Sequence, residues 1–487
     1  MTISLLVLLL AMAASAVLCI GMRNSKWIAA VMPACCAILL VLAVNLCVPV
    51  LNGETLDDGV FYIDSVSAIF MLLVALVGLM ASIYSRAYIG LEAEEGKIRA
   101  KDMGQYYSLL IVFISVMMLT FTARSMAIVW LGIGATTLVS TFLVGFYSNE
   151  ESTEAAWKYI ILCSVGITIA LAGYTLVYAS TVGAIDQDLS LDWPALMAAA
   201  DQLDPTLMKM AMVLIIVGFG TKVGLAPMHT WLPDAHSQAP SPISGLLSAV
   251  LLNCAMYGIL RFYSVSEIVN PGFASAILLV FGLLSLAAAA FFIVSSRDLK
   301  RMLAYSSIEN MGLIAIGLGI GSPIAIGAAI VQMAAHSVTK PILFFSAGNI
   351  VQSYGTRDMN SIRGVSKSMP FTSAALAIGT LAIVGAPPFA VFVGELSLMY
   401  ASIDAGVLWV TVACVILLAI VAAGMALHIF PMLSGDPGKE IDAHASPSRH
   451  VPIAVLIACT LLLGLFMPDQ VQGWLESAVD IITGASL

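Results

Sequence analysis

Charge is what this sequence has least of. Only 10% of its 487 residues are Asp, Glu, Lys or Arg, against about 25% in soluble domains. Hydrophobic residues make up 60%, and the mean hydropathy is +1.01. A water-soluble globule is therefore excluded, and the surface must face lipid. No basic patch with interleaved aromatics exists, so nucleic acid is not an expected partner. The eight cysteines (Cys19, Cys35, Cys36, Cys47, Cys163, Cys254, Cys414, Cys459) all lie in apolar runs, and none forms C-x-x-C. They read as small buried apolar residues, so no metal or iron–sulfur ligation is expected. There is no G-x-x-x-x-G-K-[ST], no G-x-G-x-x-G after a strand and no H-E-x-x-H. The chain is expected to carry no cofactor. Strand patterns and low-complexity linkers are missing too, which predicts one all-α membrane domain over 1–487.

What is present is a series of apolar runs. At roughly 20 residues per crossing plus a loop there is room for about 14 crossings. The runs predict helices near 1–22, 27–50, 61–88, 104–123, 125–147, 157–182, 206–230, 241–264, 271–295, 302–320, 322–351, 370–403, 405–432 and 451–468. The first has no basic residue before it and reads as a membrane helix, not a cleaved signal. Two loops are long, 183–205 and 433–450.

The cations are sorted. Fifteen of the 20 Lys and Arg, from Arg23 and Lys26 to Lys439 and Arg449, fall at loops after odd-numbered helices. Arg124, Lys209 and Arg261 lie at the opposite ends, and Lys222 and Lys340 remain inside the membrane. Positive-inside sorting puts the odd loops in the cytoplasm of a plasma-membrane protein, with both termini outside. There is also a faint repeat. "KYIILCSVG" from Lys158 and "KPILFFSAG" from Lys340 share Lys, Ile, Ser and Gly, and "VGLAP" ending at Pro227 has a counterpart, "VGAPP", around Pro387. Two similar units, each with a helix broken at its G-x-P site, point to a transport path.

The groups inside the membrane carry the chemistry. A charged lysine there costs about 2.5–3.5 kcal/mol. Snorkelling to the interface is a poor account of Lys222, which ends a long apolar run with Pro227 close behind. Pro227 is expected to free a carbonyl near Val223, and freed carbonyls with water can solvate an ammonium. Glu395, eight residues after Pro387, is the mirror case. His336 and Lys340 are four apart and share a helix face, with Pro341 interrupting the ladder beside them. His229, Asp234 and His236 are expected in a short loop after the seventh helix, with Ser241 capping the next. Asp and two His at that spacing are a poor metal signature. Glu309 reads as an acidic residue favoured near a helix start, and His428 as an interfacial histidine.

"GTKVGLAPMHTWLPDAHSQAPSPISG", "RDLKRMLAYSSIENMG", "HSVTKPILFFSAGNI" and "PPFAVFVGE" resemble the antiporter-like subunits of respiratory complex I, Mrp-type cation/proton antiporters and membrane-bound hydrogenases. "EAAWKYIILCSVGI" and "LLNCAMYGILRF" are most similar to component F of hydrogenase-4 and its counterpart in formate hydrogenlyase. The resemblance implies 14 helices with two inverted five-helix repeats, here 104–264 and 271–432, flanked by 1–90 and 451–487. It implies broken helices 7 and 12 around a polar axis holding Lys222, His336, Lys340 and Glu395. His229, His236, Asn253, Pro227 and Pro387 would be accessory. Two positions depart from the family. Its helix-5 glutamate is replaced by Gly134, and its helix-8 Lys or His by Asn253 or Ser248.

The expected function is proton translocation in a redox-driven complex. The partners implied are other membrane subunits and a peripheral redox arm. The expected path runs from water through Lys222, the Asn253 region and His336/Lys340 to Glu395. The alternatives are an Mrp-like cation/proton antiporter, or a structural subunit whose channel is inactive because Gly134 replaces the glutamate.

Overall fold

The computed structural model describes residues 2–22, 27–438 and 440–484. Arg23, Lys26 and Lys439, used above to orient the chain, lie outside them. In chain order the helices are α1 (Thr2–Gly21), α2 (Ile28–Leu51), α3 (Ser65–Glu94), α4 (Ala100–Thr122), α5 (Met126–Val144), α6 (Glu150–Ser180), α7 (Trp193–Ala198), α8 (Pro205–Val223), α9 (Trp231–Gln238) and α10 (Ser241–Leu246). They continue with α11 (Leu252–Val269), α12 (Phe273–Ser295), α13 (Leu299–Ile320), α14 (Pro323–Tyr354), α15 (Val365–Ser368), α16 (Pro370–Ile383), α17 (Ala390–Asp404), α18 (Leu408–Leu433), α19 (Pro447–Leu465) and α20 (Asp469–Thr483).

Among the described residues, 13 helices are long and apolar enough to cross a membrane. The interrupted pair α16 and α17 adds one crossing and brings the total to the expected 14. The starts follow local chemistry. Asp64, Asn149, Asp204, Asp298 and Ser322 each accept a backbone N–H in the first turn of the helix that follows, which satisfies otherwise orphaned donors. The crossing Ser241–Val269, which includes a π-helical turn at Leu247–Leu251, is enclosed by protein along its apolar window. It forms the axis of the bundle together with α13 and α14.

Several expectations need correcting. Leu56–Asp57 and Tyr62–Ile63 form a two-residue antiparallel hairpin, too short to leave an alternating pattern. The loop 183–205 holds α7, and α20 is a further helix beyond the last predicted one. α8 ends at Val223, because Gly224 takes φ +84°. That is a left-handed conformation natural to glycine, so the helix has already stopped before Pro227. α14 runs unbroken through Pro341. Ser241 is the first residue of its helix, not the cap; Pro240 precedes it.

Two cations expected at the outer ends are paired. Arg124 bridges Asp57 and Asp192. Arg261 is buried against Asp64 at 2.6 and 2.8 Å, with Ser67 and Tyr257 completing its hydrogen bonds.

Candidate functional site: a buried polar row

The row begins at Lys222, in the last turn of α8 and fully buried. Its ammonium donates to Thr137 Oγ1 on α5 at 2.9 Å and to the Tyr159 hydroxyl on α6, and it stands 4.6 Å from the centre of the Tyr159 ring. Hydroxyls and an aromatic face thus solvate the cation where no carboxylate is present. The break beyond it is tied down from both sides. Trp231 Nε1 donates to the Thr221 carbonyl at 2.7 Å, and the Ala226 N–H donates to Ser285 Oγ at 2.8 Å. Gly134 lies one turn before the Thr137 contact on α5, and a Cβ there would have only Ile167 within 4 Å, at 3.8 Å. The α5 residue facing Lys222 is Thr137, three positions on.

Asn253 follows on α11. Its amide donates to the Met333 carbonyl at 3.0 Å and to Ser337 Oγ at 2.8 Å, which joins the eighth crossing to α14. His336 Nε2 lies 3.1 Å from the Ser248 carbonyl, so that nitrogen donates. The buried Nδ1 has no protein partner and keeps its lone pair free to accept a proton. Ser248 Oγ meets Ser307 Oγ at 2.8 Å. Lys340, one turn after His336, donates to the Leu303 carbonyl at 2.8 Å and to Ser306 Oγ on α13. All of these groups are buried.

Glu309 is the residue that sequence reasoning misplaced. α13 starts at Leu299, capped by Asp298. Glu309 is therefore mid-helix and wholly buried, not in a first turn where the dipole would account for it. Its Oε2 accepts from Asn310 at 2.8 Å, and Asn310 Oδ1 accepts from Gln332 at 2.7 Å. The carboxyl lies within Coulombic reach of Lys340 and Glu395. The signal was the cap: Asp298 three residues before Arg301 moves the start back and puts Glu309 at depth.

Glu395 ends the row. It lies on α17 and is 6% exposed, and its Oε1 is buried without a protein partner. Gly385, at φ +69° in the break between α16 and α17, lets the carboxylate approach the backbone. Pro387 and Pro388 occupy the same break.

The remaining candidates divide. His229, with Nδ1 unpartnered, packs against Phe292. Asp234 and His236 are on α9, not in a loop. Asp234 pairs with Lys158 and Arg301 near the surface. His236 is wholly buried and lies within Coulombic reach of Lys340. His428 is half-buried, with Nε2 against the Val294 carbonyl. Lys158 and Lys340, matched in the faint repeat, have different surroundings. Lys158 is half-exposed in an ion pair, whereas Lys340 is buried.

Comparison with known proteins places the chain in a family. Residues 123–421 match the family described as NADH:quinone oxidoreductase/Mrp antiporter, transmembrane region. Residues 58–97 match the N-terminus of NADH-ubiquinone oxidoreductase (complex I) chain 5. The chain is 35% identical over 422 residues to a hydrogenase-4 component F homolog of Methylacidiphilum infernorum, covering 85% of this chain and 87% of the relative. It is 29% identical over 436 residues to NADH-quinone oxidoreductase subunit N of Desulforudis audaxviator, covering 86% and 84%. A chain of the membrane-bound sulfane sulfur reductase, an archaeal respiratory membrane complex, shares the fold with TM-score 0.88 at 23% identity, over 99% of this chain and 98% of that one. Matched by that family model over residues 123–421 and by a relative 35% identical over 85% of its length, this chain belongs to the NADH:quinone oxidoreductase/Mrp antiporter transmembrane family.

Proposed function

We propose that this chain is the proton-translocating, antiporter-like membrane subunit of a redox-driven complex of the hydrogenase or NADH:quinone oxidoreductase type. One observation carries the reading: Lys222, His336, Lys340, Glu309 and Glu395 are all buried in one apolar bundle. Each ionisable group at membrane depth costs about 2.5–3.5 kcal/mol on insertion scales, and fold stability alone gives no reason to keep five. Amides and hydroxyls fill the intervals between them. The unpartnered buried atoms of Asn253, His336, Glu309, Gln332 and Glu395 are of the kind that ordered water satisfies. Two like charges about 10 Å apart at an effective dielectric near 20 interact by about 1.7 kcal/mol. Protonating one member of the row thus biases the next, which supports stepwise transfer from Lys222 through Asn253 and His336/Lys340 to Glu309 and Glu395.

The redox centres belong to partner chains in this reading, since relatives are named as components or subunits of larger assemblies. The orientation we favour puts the basic loops in the cytoplasm and both termini outside, in a plasma membrane. The interrupted crossings α8/α9 and α16/α17 support two related five-helix units, 104–264 and 271–432. A structural subunit with an inactive channel is the second reading. Its support is that Lys222 meets hydroxyls and no carboxylate on α5.

The test is Lys222→Met in the assembled complex reconstituted into vesicles. Proton flux should fall at least tenfold while the yield of complex is kept. Unchanged flux, or a parent complex that moves no protons, rules the reading out.

A further inference from the structure

A cavity of about 240 Å³ opens on the side of the basic loops. Its rim holds the exposed Lys97 and Asn149. Its floor is buried: Glu92 from α3, Ser241 from α10 and Lys300 from α13. That volume has room for several waters at about 30 Å³ each. Glu92 is 4% exposed and, among the described residues, has no cation in ion-pair contact. Tyr147 donates to it at 2.8 Å and Gln352 at 3.2 Å. Ser241 Oγ is wholly buried with no protein partner. The floor is thus polar and buried, and it lines the same open cavity as the rim.

The floor also connects inward. Glu92 and Lys300 lie within Coulombic reach of one another. Lys300 donates to the Ala239 carbonyl, at the end of the helix that bears His236. The His236 Nδ1 lies 2.8 Å from the Leu232 carbonyl and must donate there. Its Nε2 is buried and unpartnered, so it is left as a proton acceptor. His236 lies within Coulombic reach of both Lys300 and Lys340. Lys340 bonds α13 at Leu303 and Ser306, three and six residues beyond Lys300, a rise of ~4.5 to 9 Å along a helix.

We infer that this cavity is a proton intake serving the second half of the row directly, with Glu92 as the group that takes the proton from water and His236 as the relay to Lys340. The inference rests on the proposed translocation but not on Lys222, and it supplies an acid to a chain whose fifth helix has none. A proton bound at Glu92 passes to His236 Nε2, and the imidazolium then releases it to neutral Lys340. No other bond is made or broken.

The experiment uses the assembled complex in vesicles of both orientations. Gln238→Cys places a thiol in the partly exposed wall of the cavity, where a charged, membrane-impermeant methanethiosulfonate added after folding can reach it, so any loss arises after folding. Proton flux should fall at least fivefold when the reagent faces the basic loops and stay unchanged from the other side, with the treated parent unaffected. Glu92→Gln should lower flux at least fivefold at unchanged yield, and Glu92→Asp should recover part of it. If the parent translocates and neither the modified thiol nor Glu92→Gln alters flux, the intake is overturned while the translocation reading stands. If the parent moves no protons, both fall.

Discussion

The Glu395 carboxylate packs onto the backbone of Gly385, and a Cβ at 385 would come within 2.5 Å of its Cδ. The last ionisable group of the row is thus held against the break in its own crossing. Gly385→Ala adds that Cβ and also strains a φ of +69°, at a cost of about 1–2 kcal/mol for the backbone alone. The variant should assemble in reduced yield, and the complex that does assemble should pump at a several-fold lower rate. Normal yield with normal flux would show that the carboxylate has another resting place.

Glu395→Gln should abolish most proton flux, whereas Glu395→Asp should keep part of it, since a carboxyl binds and loses a proton and an amide does not. Glu309→Gln should behave like Glu395→Gln if the two carboxyls act in series. Flux measured in vesicles at matched assembly decides it, and a Glu309→Gln complex pumping at the parent rate would remove Glu309 from the path.

Thr137, not Gly134, is the α5 position that meets Lys222. Thr137→Glu should restore a carboxylate–lysine pair and change the pH at which flux is half-maximal. Gly134→Glu, facing Ile167, should leave that midpoint where it is. The reverse outcome would mean that α5 turns in the assembled complex.

Asp64→Asn should destabilise the fold by about 3–5 kcal/mol, because it leaves the Arg261 guanidinium buried without its charge partner. Thermal unfolding of the purified chain in detergent reads this out. Replacing both residues by apolar ones of similar volume should recover much of the loss, and a single variant as stable as the parent would show that Arg261 finds water.

Element existence was legible because an apolar run of membrane length is rare outside a bilayer crossing. Lys222, Lys340 and Glu395 stood out for the same reason, as charges in the middle of such runs. Depth was harder to read. Three residues of helix start, decided by the Asp298 cap, separate a surface reading of Glu309 from a buried one. Glu92 and Lys300 were hidden likewise, near helix ends where charges are ordinary, and only packing against Tyr147, Gln352 and Ala239 encloses them. The break after Lys222 was foreseen but attributed to Pro227, where Gly224 does the work. Which α5 residue faces Lys222 depends on helix rotation, which one sequence with a nearly uniform apolar helix does not encode.

The two interruptions differ in electrical polarity. Lys222 is the penultimate residue of α8, where the unpaired carbonyls of a helix end amount to about half a negative charge. Glu395 lies in the second turn of α17, after a start whose free N–H groups amount to about half a positive one. The first break therefore presents its resident ion with the complementary helix end, because Lys222 precedes the gap. Glu395 follows its gap by more than the single turn over which that field acts, and its carboxylate folds back onto Gly385, just beyond the end of α16, so of the two ions only the lysine is held by a helix pole.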